Sequence, residues 1–320
     1  MDKVLVVDGN NIVHKNYHTE KKRSDNVNSA IDYAISKSIL DFKMFYDKYT
    51  PNTTILAFDS GMTWREVYTK SDDSVTGKIY KANRSENKTK KELEAKAMLN
   101  TKIAELVEVL RETRLFILQE PKIEADDFAG AICDMYKDEY DTEVIVVSSD
   151  KDYLQFLRYD NVRIVNPMKH GKKRTLDEWN GDVELMLFEK CIRGDGGDNV
   201  RSSYPRLKKT KLIEAFYDDL KRTNIMNHEF EEMVYCDVAK DYVQKTFKTS
   251  EVFKENELLV RLDSQPDHIK KIIRKRIIDE MGTDKKLNIL KFVRYVSKNE
   301  LGNLKSQVTQ FTDLLNNKPK

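Results

Sequence analysis

The chain has 320 residues, 39% hydrophobic and 34% charged, with 56 Lys and Arg against 54 Asp and Glu for a net charge of +2. That balance describes a highly charged globular protein and excludes a disordered one, and no run of about twenty apolar residues is present to span a membrane. The 3 cysteines lack a C-x-x-C and the 5 histidines lack H-E-x-x-H, so neither a disulfide framework nor a zinc centre is expected. Met1-Asp2-Lys3 leads straight into a strand without a signal-peptide pattern, which places the expected location in the cytoplasm.

Val4-Leu5-Val6-Val7 reads as a strand that ends in Asp8 and enters a tight turn at Gly9-Asn10-Asn11. Apolar groups at helical spacing (Ala30, Ala34, Ile35, Ile39, Phe42, Phe45, Tyr46) predict a helix over 27–49 that stops before Pro51. A strand at 54–58 ends in Asp59. Residues 61–93 are polar, weakly periodic and rich in lysine and arginine, the mark of a functional lid or a disordered segment. A helix over 92–113 leads to a strand at 115–118, and Glu124-Ala125-Asp126-Asp127 opens a helix running to Tyr136. Strands at 143–147 and 162–165 complete a sheet of about five, mostly parallel by the right-handed crossover rule. Past residue 180 the strand signals fade, and helices are predicted at 182–193, 208–222, 228–247, 267–281, 286–297 and 299–316. The expected fold class is therefore α/β: a mostly parallel central sheet flanked by helices over 1–180, and a helical C-terminal module over 181–320.

Carboxylates follow the apolar runs repeatedly. Asp8, Asp59 and the pair Asp150 and Asp152 each come just after a strand; Glu124, Asp126 and Asp127 open a helix; Asp195 and Asp198 sit in Gly194-Asp195-Gly196-Gly197-Asp198-Asn199. In open α/β sheets the functional crevice lies beyond the carboxyl ends of the strands. So many acids in one cleft raise one another's pKa unless cations neutralise them, and an all-oxygen site suits Mg²⁺ or Mn²⁺. Each cluster also has a structural reading: Asp8 can cap the following helix, and one or two of the acids at 124–127 can serve the helix dipole. Three acids there exceed what capping needs.

Basic residues are segregated from these acids. Arg201, Arg206, Lys208, Lys209 and Lys211 fall in a stretch without a single acid, and Lys169 to Arg174 and Lys270 to Arg276 form two further runs. Beside a metal-type acid cluster, three such runs favour a polyanionic substrate, with nucleic acid the first candidate.

Val7-Asp8-Gly9-Asn10-Asn11, Phe58-Asp59-Ser60, Tyr80-Lys81-Ala82-Asn83-Arg84, Glu124-Ala125-Asp126-Asp127, Ser149-Asp150-Lys151-Asp152 and Gly194-Asp195-Gly196-Gly197-Asp198-Asn199, in that order, resemble the flap-endonuclease/5′→3′ exonuclease family. The phage-type ribonuclease H branch that removes RNA primers is the nearest match. The resemblance implies two Mg²⁺ ions, for which Mn²⁺ substitutes. Asp8, Asp59, Glu124, Asp126 and Asp150 would surround the first, with Asp127 close by, and Asp152, Asp195 and Asp198 the second. It also implies that Lys81 and Arg84, in an arch over about 61–93, contact the scissile phosphate. The family's helix–turn–helix-type element carries a glycine-x-glycine hairpin and often a potassium ion. Here Val200-Arg201-Ser202-Ser203-Tyr204-Pro205-Arg206 lacks those glycines, so the potassium site is not carried over and duplex binding is expected to rest on Arg201, Arg206, Lys208, Lys209 and Lys211.

The implied activity is a 5′→3′ exonuclease and 5′-flap endonuclease on DNA and RNA–DNA hybrids, leaving 5′-phosphates, in primer removal during replication by a monomer. Two rivals stay open at this point: another metal phosphohydrolase, although Asp8 lacks the Asp-x-Asp of the haloacid type, and an inactive DNA-binding relative. Gln310-Phe311-Thr312-Asp313-Leu314-Leu315 has two readings as well. It matches loosely a peptide that recruits a replication clamp or single-strand binding protein, and its i, i+3, i+4 spacing fits the core face of a final helix.

Overall fold

Val4–Val7, Thr54–Ala57 and Val144–Val147 are runs of β-branched and aliphatic residues that form strands buried on both faces, as parallel sheets require. The computed structural model describes residues 1–317 apart from 25, 87, 170, 237–239 and 300. Its elements begin with β1 (Asp2–Asp8), α1 (Gly9–Lys21), α2 (Val27–Tyr49), β2 (Thr53–Ala57), α3 (Trp64–Thr69), α4 (Asn83–Glu86) and α5 (Lys90–Arg111). There follow β3 (Phe116–Leu118), α6 (Ala125–Tyr136), β4 (Thr142–Val147), β5 (Val162–Asn166), β6 (Lys172–Lys173), α7 (Val183–Arg193), α8 (Lys209–Tyr217) and α9 (Asp219–Met226). The rest comprises β7 (Glu229–Cys236), β8 (Asp241–Lys248), α10 (Thr249–Val260), α11 (Asp267–Met281), α12 (Ile289–Lys298) and α13 (Thr312–Asn316). None of the described helices is long and apolar enough to cross a membrane.

Two units emerge. The first comprises Met1–Gly61, Thr89–Thr175 and Asp267–Lys320, the second Met62–Lys88 and Leu176–Pro266. This division differs from the expected one, since 267–320 joins the sheet and 62–88 leaves it.

The first unit holds a sheet of 6 strands in the order β3-β2-β1-β4-β5-β6. All pairs are parallel except the short β6, which the sequence reading missed because two exposed lysines carry no strand signal. Leu5 and Val7 face one apolar cluster with α2, α5 and α12, which also takes in Phe311, Leu314 and Leu315. Those three are buried core residues, so they are not presented to a replication clamp or single-strand binding protein; residues 318–320 of the same peptide lie outside the described residues. The outer edge of β3 is sealed by side chains: Ile117 N donates to Glu280 Oε1 at 2.8 Å, Arg276 Nη2 donates to Ile117 O at 3.1 Å, and Lys285 Nζ to Leu115 O at 2.7 Å.

Three helix expectations are corrected. Where a helix is expected over 228–247, residues 229–236 and 241–248 instead pair as the antiparallel strands β7 and β8, in which the aromatic and β-branched pairs Phe230/Phe247, Val234/Val243 and Tyr235/Tyr242 face each other and outweigh helical spacing. The helix expected over 208–222 breaks at Asp218, whose carboxylate caps α9 by accepting from Leu220 N and Lys221 N at 3.0 and 3.1 Å. Residues Gly302–Phe311 form a 3-10 helix ahead of α13. The polar segment after Gly61 is also more ordered than its composition suggests. Arg65 is fully buried with its Nε on Leu259 O at 3.0 Å, and Glu255 holds Ser74 Oγ and Thr76 N at 2.7 and 2.8 Å.

Candidate active site

The parallel register sets Asp8 opposite Ala57 and Val7 opposite Val147, so Asp8, Asp59 and Asp150 all leave the sheet at the carboxyl ends of adjacent strands. The chain runs from β1 through β2 to β3 on one side and returns to β4 on the other. Such a reversal opens the crevice in which open α/β sheets place ligands. Gly9 is required there, because a β-carbon at that position would collide with the Phe58 ring.

Asp8 caps α1, its Oδ1 accepting from Asn11 N at 2.9 Å, and its Oδ2 accepts from Ser148 Oγ at 3.2 Å and Tyr153 OH at 3.0 Å. The structural reading of Asp8 as a cap therefore holds, yet capping does not exhaust it. Burial, with Asp59 and Asp150 nearby, pushes its carboxyl up to about 7 against the bonds from Asn11 and Tyr153 that favour the charged form. Asp59 accepts from Ala125 N at 2.9 Å and Asn10 Nδ2 at 3.0 Å, which ties it to the start of α6. Asn11 Oδ1 accepts from Ser149 N and Oγ at 3.0 and 2.9 Å, and Asp150 Oδ1 from Asp152 N at 3.0 Å. The buried Tyr153 phenol is raised well above its ordinary pKa by desolvation and by Asp8, Asp126, Asp150 and Asp59, so the acids of all these segments gather around it.

At the start of α6, Glu124 and Asp127 form a capping box, with Glu124 N donating to Asp127 Oδ2 at 3.3 Å. Asp126 is not consumed in that cap. Glu124, Asp126 and Asp127 offer oxygens that lie within 4.8 Å of one another, a group able to hold a metal ion. The donor set is all oxygen and entirely carboxylate. It fits a hard divalent cation.

The second unit gathers the other predicted residues. Gly194 has φ +69°, and a β-carbon there would strike the backbone of Val200 and Arg201, so glycine lets the turn close on the Asp195–Val200 bridge. Asp195 Oδ1 accepts from Gly197 N at 2.8 Å, and its Oδ2 lies 3.7 Å from Lys190 Nζ. Asp198 accepts from Tyr80 OH at 2.8 Å, pairs with the Arg84 guanidinium and lies 3.8 Å from Lys81 Nζ. Burial opposes its charge, but Lys81 and Arg84 outweigh burial and lower the pKa. Asn83 Nδ2 on Gly196 O at 2.6 Å and Lys81 N on Asp198 O at 2.9 Å complete the clasp between 80–84 and 195–199.

Of the expected duplex-binding residues, Arg206, Lys208, Lys209 and Lys211 are exposed around the start of α8, and Lys209 Nζ lies 3.6 Å from Glu189. Arg201 is engaged internally, paired with Glu232 and lying 4.8 Å over the Phe247 ring. Residues the sequence reading did not assign are Asn10, Ser148, Tyr153 and Tyr80, whose neutral side chains bond the acids, and Asn11, which bonds Asp8 through its main-chain N–H and Ser149 through its side chain. Their only signal was adjacency to the acidic motifs.

A family model, the 5′-3′ exonuclease N-terminal resolvase-like domain, matches residues 3–183. A 5′-3′ exonuclease of Mycoplasmopsis pulmonis is 25% identical over 247 residues, 71% of this chain and 73% of that protein. Ribonuclease H of enterobacteria phage T4 is 28% identical over 156 residues, about half of each chain at 48%. Among solved structures, the D15 protein of T5 crystallised with metal ions superposes with TM-score 0.63 at 20% identity, over 88% of this chain and 98% of that one. A variant of the bacteriophage T5 D15 flap endonuclease, in a pseudo-enzyme-product complex with DNA and metal ions, gives TM-score 0.63 at 19% identity, over 88% and 100%. With the family model covering more than half of the sequence and the acids gathered at the reversal of its sheet, this chain belongs to the 5′-3′ exonuclease family of nucleases.

Proposed function

We propose that the protein is a Mg²⁺-dependent 5′ nuclease that removes 5′ ends and 5′ flaps from DNA, and RNA from RNA–DNA hybrids, in primer removal during DNA replication. The observation that carries this is the convergence of Asp8, Asp59 and Asp150 with the oxygen cluster Glu124, Asp126 and Asp127 at the carboxyl ends of the strands. These acids would hold the first ion, and Asp195 and Asp198 are ligand candidates for the second. Bound divalent ions supply a hydroxide near neutral pH and stabilise the departing 3′-oxygen in an in-line displacement. Lys81 and Arg84 would bind the phosphate and stabilise the charge that develops on it. Arg206, Lys208, Lys209 and Lys211 would hold the duplex through its backbone. Its relatives, an exonuclease, a ribonuclease H and a flap endonuclease seen with DNA, support the reading.

The test is digestion of 5′-labelled flap DNA and of a 5′-labelled RNA–DNA hybrid. Cleavage in Mg²⁺ or Mn²⁺ that leaves 5′-phosphates and stops in EDTA is the expected result. Cleavage unaffected by EDTA, or none on either substrate, would sink it.

A further inference from the structure

Asp8 is gripped from the neighbouring strand's exit. Its Oδ2 takes two hydroxyl donors, Ser148 Oγ at 3.2 Å and Tyr153 OH at 3.0 Å, while its Oδ1 takes Asn11 N at 2.9 Å. Ser148 directly follows β4 and Tyr153 lies in the turn of 3-10 helix after it, so both belong to the segment that carries Asp150. Ser148 Oγ also accepts from Asp150 N at 3.2 Å. Asn11 returns the link from the other side, its Oδ1 accepting twice from Ser149. The Asp8 carboxylate is thus tied, through Ser148, to the main chain of the segment that carries Asp150.

We infer that Tyr153, with Ser148, is a positioning residue that sets the orientation of Asp8 for a divalent cation; the inference rests on the nuclease reading above. A carboxylate offers about four acceptor positions, and three are already occupied at Asp8. It can therefore meet an ion through one oxygen only, Oδ1, and the two hydroxyls on Oδ2 decide which way that oxygen faces. Tyr153 suits this work: it is 1% exposed, and its ring packs edge-on against Phe156 at 5.9 Å, so the phenol cannot follow the carboxylate if it turns. Here the acceptor is a candidate ligand shared with the serine that also bonds Asp150.

The test compares wild type with Tyr153→Phe, Ser148→Ala and the double variant. Mn²⁺ binding is read from the free-ion paramagnetic resonance signal without nucleic acid, and cleavage of a 5′-labelled flap is titrated with Mn²⁺. Loss of an outer partner of a metal ligand weakens binding by about 10- to 100-fold. Tyr153→Phe should bind Mn²⁺ about tenfold more weakly and need correspondingly more Mn²⁺ for half-maximal cleavage, with turnover at saturating Mn²⁺ within about twofold of wild type. Ser148→Ala should move affinity in the same direction. Wild-type Mn²⁺ affinity in both variants, with or without a lower melting temperature in EDTA, overturns the assignment, because a merely structural hydroxyl changes melting alone. If the wild-type protein itself neither binds Mn²⁺ nor cleaves, the nuclease reading fails, and the inference with it.

Discussion

Arg84 and Asp198 are bound to each other, with Tyr80 OH 2.8 Å and Lys81 Nζ 3.8 Å from the same carboxylate. The cations proposed to receive a phosphate therefore rest on an anion of their own unit. A partly exposed pair of this kind is worth about 0.2–1 kcal/mol. Asp198→Asn should bind a 5′-phosphorylated single strand in EDTA up to about fivefold more tightly than wild type, measured by fluorescence anisotropy at fixed salt. Weaker binding would show that Asp198 orders Lys81 and Arg84 rather than competing for them.

The raised Asp8 carboxyl makes stability depend on pH in an unusual direction. Its folded pKa of about 7 lies above the ordinary value of 3.8, so the folded state holds the proton more tightly. This favourable contribution is full below about pH 4 and is lost as pH rises through 7. In EDTA the melting temperature should fall between pH 5 and 8, and Asp8→Asn should flatten that slope. A wild-type profile already flat over this window would remove Asp8 from the linkage.

Asp126→Asn and Asp150→Asn should each abolish cleavage while leaving DNA affinity within a few-fold of wild type, since phosphate contacts supply most of the affinity. Gel-shift titrations in Ca²⁺ or EDTA beside a cleavage assay in Mg²⁺ decide this. Normal turnover by either variant contradicts the ligand assignment.

Lys81→Ala should lower the single-turnover rate by about a hundredfold with little change in duplex affinity, the usual consequence of removing a donor aimed at developing charge. A loss confined to affinity would reduce Lys81 to a backbone anchor.

Phe311 is 1% exposed and packs at 6.2 Å from the Phe292 ring. Phe311→Ala should cost about 3–5 kcal/mol of stability, read by calorimetry. Wild-type melting would return this segment to the role of an exposed peptide.

Strands and acids were legible because both carry their own signals: an apolar β-branched run cannot be hidden, and a carboxylate directly after one is out of place unless it has work to do. Asp8, Asp59 and Asp150 could be read in this way from residue order alone. Tyr153 could not, because its partner lies 145 positions away and only the strand register joins them. The paired strands 229–236 and 241–248 read as a helix in the sequence for a related reason. Their aromatic and β-branched residues satisfy a helical spacing as well as an alternating one, and only the cross-strand pairs decide between the two.

The seal on β3 has a consequence for how the chain is made. Leu115 and Ile117 are joined to Arg276, Glu280 and Lys285 across about half of the sequence. During synthesis from the amino end, the sheet strands leave the ribosome well before α11 does. Until then the outer strand shows unpaired backbone groups, the template on which a foreign strand adds. A nascent or truncated chain that stops short of residue 267 is therefore the form of this protein most prone to join another copy of itself edge to edge. In the folded chain α11 covers that edge through Arg276 and Glu280.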